Sequence, residues 1–171
     1  MNVRPASAAD IPGLRSLIDG AYRGEGAKQG WTHEADLLAG QRVDLDMLGE
    51  ILGDPQQTLL LAETADGVVG CVCVTDKGAY AYVGLLTVAP ILQGQGMGRR
   101  LLAAAETFVR GLGLTAIQMT VIRHRHELIA WYERLGYLDT GVRQPFPTDH
   151  RRFGVPLRAD LEFIVLEKHL S

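Results

Sequence analysis

The chain has 171 residues, 47% of them hydrophobic, with 17 lysines and arginines against 20 acids and a formal net charge of -3. That length buries one substantial core and is short for two domains, and the acid excess argues against a general nucleic-acid binder and mildly favours a basic partner. No stretch has the build of a secretory signal, and no window approaches about 18 uninterrupted apolar residues, so the expectation is a soluble, cytoplasmic chain with no membrane partner.

Asn2 to Pro5 reads as a short first strand. Asp10 is placed to cap a helix in which Ile11, Leu14, Leu17 and Ile18 share one side, with Pro12 tolerated in the first turn. Glycines at 20, 24, 26 and 30 then stand among Tyr22, Arg23, Glu25 and Lys28, a composition poor at packing and suited to bending around a ligand. Two further helical stretches are expected, from Thr32 or His33 to Leu38 and from Asp44 to Leu52, the second stopped by Gly53-Asp54-Pro55.

The texture changes at Thr58. Thr58 to Glu63, Val68 to Thr75 and Ala79 to Val88 read as consecutive strands joined by turns at Ala65-Asp66-Gly67 and Asp76-Lys77-Gly78. Cys71 and Cys73 share a face of the second, about 7 Å apart and too wide for a disulfide, and so read as reduced core thiols. Leu101, Leu102, Ala105, Phe108, Val109 and Leu112 follow helical spacing, with Gly111 and Gly113 at the exit. Leu114 to Val121 is a strand, Glu127 to Leu135 a helix ended by Gly136, and Tyr137 to Val142 and Leu161 to Glu167 close the sheet around a loop from Gln144 to Leu157. Hairpins followed by strand, helix, strand, helix and strands indicate an α/β fold on a mostly antiparallel sheet.

Chemistry concentrates at Gln93-Gly94-Gln95-Gly96-Met97-Gly98-Arg99-Arg100, where a strand ending at Pro90 passes through a glycine turn into a long helix. A dinucleotide fingerprint needs a glycine where Arg99 stands and an acid about 20 positions later, and a triphosphate loop needs Gly-Lys-Ser/Thr where Gly98-Arg99-Arg100 stands; both are missing. Two arginines at the positive end of a helix are electrostatically wrong unless an anion sits nearby. From the physics alone two readings stay open: an anion site built on bare backbone amides, and a tight loop with solvated arginines.

The stretch Val88-Ala89-Pro90-Ile91-Leu92-Gln93-Gly94-Gln95-Gly96-Met97-Gly98-Arg99-Arg100-Leu101-Leu102 resembles the acetyl-coenzyme A motif of the Gcn5-related N-acetyltransferase (GNAT) superfamily, with Gln93, Gly96 and Gly98 at its three defining positions. The resemblance continues through Trp131-Tyr132-Glu133-Arg134-Leu135-Gly136-Tyr137 and spans roughly residues 58 to 142. It implies an acyl-CoA N-acyltransferase fold: a mostly antiparallel, six- or seven-stranded mixed sheet with a splayed central pair, flanked by about four helices. It implies one domain over residues 1–171, with acceptor-side helices at about 10–52, an acetyl-CoA core at about 58–142 and closing strands and loop at about 137–168.

For the site, the resemblance implies that the amides of Gln93, Gly94, Gln95, Gly96, Met97, Gly98 and Arg99 hold the pyrophosphate of the cosubstrate acetyl-CoA. The backbone of Leu86 and Val88, with Thr87 between them, would pair with the pantetheine arm. Tyr132 matches the general acid that protonates the departing sulfur, and an amide in the Val88 region is the expected oxyanion donor. Arg125 stands where family members often carry asparagine, which leaves two readings, a phosphate contact or a solvated side chain. Glu34 and Asp36 are candidate bases, each more simply read as a charge on a solvated helix face. The histidines form no close ligand pattern, so no metal is expected.

The leading functional reading is an acetyl-CoA-dependent N-acetyltransferase acting on a primary amine by direct attack. A small basic amine is favoured as acceptor, because Tyr22, Trp31, Glu25, Glu34, Asp36 and Asp44 in the N-terminal half would give a cavity aromatic walls and negative charge. The alternatives are a protein or peptide acceptor, another acyl group, and a noncatalytic acyl-CoA sensor. A homodimer is expected at family level, with the closing strands and the loop 143–158 as the place for a symmetric contact. Nucleic acid is not an expected partner.

Overall fold

A computed structural model describes residues 1–22, 38–39, 43–146, 155–157 and 160–171. Within these, β1 (Asn2–Pro5) leads to α1 (Ile11–Tyr22), β2 (Leu38–Ala39), α2 (Leu45–Gly53) and the meander β3 (Gln57–Thr64), β4 (Gly67–Asp76) and β5 (Ala81–Val88). There follow α3 (Met97–Gly111), β6 (Ala116–Ile122), α4 (His126–Arg134), β7 (Leu138–Pro145), β8 (Val155–Pro156) and β9 (Glu162–His169). Seven of the strands form one sheet in the order β1-β3-β4-β5-β6-β9-β7, and β2 pairs with β8. The expected architecture, with four helices among the described residues, is present.

Local chemistry sets the helix starts. Ser7, and not Asp10, begins the turn into α1: the Asp10 carboxylate accepts from the Ser7 amide at 2.8 Å and binds Arg4, which also reaches Glu63 on β3. Asp44 caps α2 by accepting the Met47 amide at 2.7 Å, as a short acceptor side chain does at an N-cap. The expected helix from Thr32 or His33 lies outside the described residues, apart from its end: Leu38 is in β2.

β3 and β4 are apolar on both faces because helices cover both. Leu59, Leu61, Cys71 and Cys73 face Leu14, Ile18 and Leu48 of α1 and α2, while Leu60, Ala62, Val72 and Val74 face Leu101, Leu102, Ala105 and Val109 of α3. This is the period-two sorting of a doubly covered sheet. Both cysteines are buried and in no disulfide, and burial pushes Cys73 up to about 11.

Two irregularities open the sheet where the site lies. β5 and β6 run parallel but pair only at Ala81 with Ile117 and Tyr82 with Gln118; beyond that they diverge, with the Tyr82 hydroxyl and Thr120 Oγ1 2.5 Å apart across the fork. On the other edge of β5 the register slips: Cys71 faces Thr87 but Cys73 faces Gly84, two steps on β4 against three on β5. The extra residue is a β-bulge at Leu85, the only non-glycine with positive φ among the described residues, at +53°. Leu85 consequently packs with the α1 and α2 cluster and Leu86 with the α3 cluster.

Candidate active site

The strand β5 ends at Val88, turns through Pro90–Leu92, and reaches the glycine loop. Gln93 ties loop to strand, its Nε2 donating to the Val88 carbonyl at 3.1 Å. Gly94 and Gly96 have φ of +83° and +81°, which L-residues rarely adopt. Gly96 is the N-cap of α3 and brings no side-chain acceptor, no acid stands in the first turn, and the first helical bond runs from Arg100 N–H to the Gly96 carbonyl. The amides of Met97, Gly98 and Arg99 therefore lack intrahelical acceptors at the positive end of a fifteen-residue helix.

Two cavities adjoin in front of β5. The smaller, about 330 Å³, is bordered by Val88, Gln93, Gly94, Gly96, Gly98 and Arg99 along the loop, and by Trp131 and Arg134 of α4. The larger, about 520 Å³, occupies the fork between β5 and β6. Tyr22, Leu86, Arg125, Leu128 and Tyr132 line both and so mark their junction. Sequence alone gives Trp131 as part of a motif and no more; the structure sets its ring over the start of α3, where a Cβ on Gly98 would lie 3.5 Å from it.

Tyr132 is 6% exposed and packs against the rings of Trp131 and Tyr137. Among the described residues none is hydrogen-bonded to its hydroxyl. Burial, then the neighbouring Tyr22, pushes its pKa well above the ordinary phenol value, while Arg125 pulls the other way. The phenol therefore keeps its proton throughout the neutral range.

The edge of β5 is only partly open. The Ala89 amide donates to Val69 on β4, so in the alternation of an antiparallel ladder Val88, opposite Gly70, turns its N–H and C=O away from β4 and toward the cavities. The Val88 carbonyl takes Gln93, and the Leu86 carbonyl takes the Tyr22 hydroxyl at 2.7 Å. Each keeps a second lone pair. Thr87 is 1% exposed and its hydroxyl donates to Leu85, an internal bond.

The remaining candidates separate. Gln95, in the loop, and Met97, the first residue of α3, line neither cavity. Arg125 precedes α4 with its guanidinium 5.6 Å above the Tyr22 ring. Asp44, expected to add negative charge to an acceptor cavity, is spent as the cap of α2. Glu25, Trp31, Glu34 and Asp36 lie outside the described residues. Sequence alone offers Tyr22 as an aromatic wall; its bond to Leu86 has no local sequence signal, since it joins positions 64 residues apart. Among the described residues no three His, Cys, Asp or Glu side chains cluster as a metal site, and no helix is long and apolar enough to cross a membrane.

Comparison with known proteins bears on this arrangement. A model of the acetyltransferase (GNAT) family matches residues 17–137. An IAA acetyltransferase of Azospirillum brasilense is 31% identical over 102 residues, 58% of this chain and 67% of that protein. The ribosomal-protein-alanine N-acetyltransferase of Brucella melitensis superposes with a TM-score of 0.72 at 20% identity, over 99% of this chain and 100% of that one. YncA of Salmonella typhimurium, solved with its cofactor acetyl-CoA, superposes with a TM-score of 0.67 at 20% identity, over 99% and 94% of the two chains. These structures have the same fold.

Proposed function

Since the chain belongs to the acetyltransferase (GNAT) family and is an acetyl-CoA-dependent acetyltransferase, we propose that its acceptor is a primary amine, acetylated by direct attack with Tyr132 as general acid. The observation that carries this is the position of Tyr132: a protonated phenol, at the junction of a cavity edged by an anion-ready loop and a second cavity large enough for an acceptor.

In this reading the amides from Gly94 to Arg99 and the Arg99 side chain meet the pyrophosphate, with Gln93 bracing the loop against Val88. Trp131 and Leu128 wall the arm, which runs along Leu86, Thr87 and Val88 toward the junction. The Val88 amide, turned to the cavity side, donates to the charge that develops on the thioester oxygen. A nitrogen–carbon bond forms as the carbon–sulfur bond breaks. Tyr132 gives its proton to the leaving thiolate, and the surplus proton on nitrogen passes to water. Arg125, next to Tyr132, steadies the negative charge as it appears on sulfur. In a single domain, residues of about 58–142 form the donor core, and the acceptor side is shared by Tyr22, from the region of about 10–52, with β5, β6 and the closing strands.

The test is Tyr132→Phe. Transfer, read as release of coenzyme A thiol, is expected to fall about 10²–10⁴-fold, with the acetyl-CoA dissociation constant within about twofold of the parent. Unchanged transfer with binding intact refutes the general-acid assignment.

A further inference from the structure

The larger cavity bears on which amine is accepted. Its volume of about 520 Å³ suits a small organic guest. Rings surround it: Tyr22 at the junction, Tyr80 and Tyr82 on the β5 side, and Phe146 with Phe163 from the closing strands, these last two in tilted contact at 5.3 Å. Flat apolar walls with phenol edges favour a flat guest, each good ring pair adding about 0.5–1.5 kcal/mol beyond the area buried. Arg125 is the one charged side chain among the described lining residues, and it is positive.

The apolar lining discriminates among amines. A polyamine would have to bring several ammonium groups out of water against these rings, which is costly for each charge. A single ammonium taken in at the junction is biased toward its neutral form, because burial disfavours the charge, and the neutral amine is the one that attacks.

We propose that the acceptor is a monoamine carried on an aromatic body, of the 2-arylethylamine class, with its ring among the aromatic walls and its nitrogen at the Tyr132 junction. This deepens the amine acetyltransferase reading and rests on it. The products are the N-acetyl amide and free coenzyme A: nitrogen gains the acetyl carbon and loses a proton to water, sulfur gains the proton of Tyr132, and the phenolate recovers a proton from water, which closes the cycle.

The experiment measures kcat/KM by thiol release for 2-phenylethylamine, n-hexylamine and spermidine, with acetyl-CoA binding measured separately by calorimetry. The expected result is 2-phenylethylamine at least about tenfold above spermidine and severalfold above n-hexylamine. In Phe163→Leu, which keeps apolar volume and removes a ring, the ratio of 2-phenylethylamine to n-hexylamine should fall about twofold to tenfold. Tyr80→Leu, at a half-buried position before β5, makes the same comparison if β9 does not tolerate the leucine. A preference for spermidine, or an unchanged ratio in both variants, overturns the aromatic assignment while amine acetylation stands. Tight acetyl-CoA binding with thiol release from none of the amines overturns the amine reading itself.

Discussion

Replacing Gly96 and Gly98 one at a time by alanine separates two reasons for a glycine in one turn, and the two stability changes should have opposite signs. At Gly96 φ is +81° and a Cβ would meet nothing within 4 Å. The cost is therefore backbone alone, about 1–2 kcal/mol for an L-residue in the left-handed region. A stiffer unfolded chain offsets about 0.4–1 kcal/mol, leaving a net loss of about 1 kcal/mol, or about 2–4 °C in Tm for a chain of this size. At Gly98, inside α3, the added Cβ would stand 3.5 Å from Trp131 Cη2 and 3.8 Å from Val88 Cγ2, ordinary contacts. There alanine gains helix propensity, up to about 1 kcal/mol. Urea unfolding followed by circular dichroism, with m-values compared, measures both. A Gly96→Ala protein as stable as the parent, or a Gly98→Ala protein that loses as much as Gly96→Ala, would refute the reasoning.

Gly70 is constrained by space: a Cβ there would lie 2.7 Å from the Thr87 carbonyl oxygen. Gly70→Ala should cost about 1–3 kcal/mol in the same urea assay, and parental stability would mean that β4 and β5 part freely. Asp10 is held well below the usual carboxylate range by Arg4 first and then by the Ser7 amide. A depressed native pKa adds stability above the unfolded value of about 3.9 that is lost as pH falls through the acid range. Melting curves from pH 6 to pH 2.5 should show a loss that Asp10→Asn lacks, and parallel curves for the two proteins would overturn this. Cys73, pushed up to about 11 by burial, and Cys71, fully buried, should not react with a disulfide reagent at pH 8 until urea unfolds the chain; fast labelling of the native protein would contradict the packing.

The glycine turn and its helix were legible because their signals are local. Gln93 to Arg99 declare a turn through glycines at positive φ, Leu101 to Val109 declare the covering helix, and Trp131-Tyr132 fall within a second short motif. The larger cavity was not, because it is assembled at long range: Phe146, Phe163, Tyr82 and Tyr22 meet around it from four separate segments. Capping was misplaced for a different reason. Asp10 can serve a helix start in two ways, and the choice went to Ser7 because Arg4 fixes the Asp10 carboxylate from β1. The bulge at Leu85 had no signal at all: Leu85-Leu86-Thr87-Val88 is an ordinary strand sequence, and the residue with positive φ is not a glycine.

That bulge makes the protein sensitive to chain length at one place. Between Gly84 and Thr87, β5 carries one residue more than β4 can match. Deleting that residue would let the two strands zip in simple register, with Thr87 still opposite Cys71 and Val88 still opposite Gly70, but it would remove the Leu85 contact with the α1 and α2 cluster and the local bend that a bulge gives its strand. Substitutions along this strand change size or polarity at single points. A one-residue deletion between Gly84 and Thr87 would redirect the strand itself, so tolerance of insertions and deletions should collapse there while the hairpin at Ala65-Asp66 still accepts them.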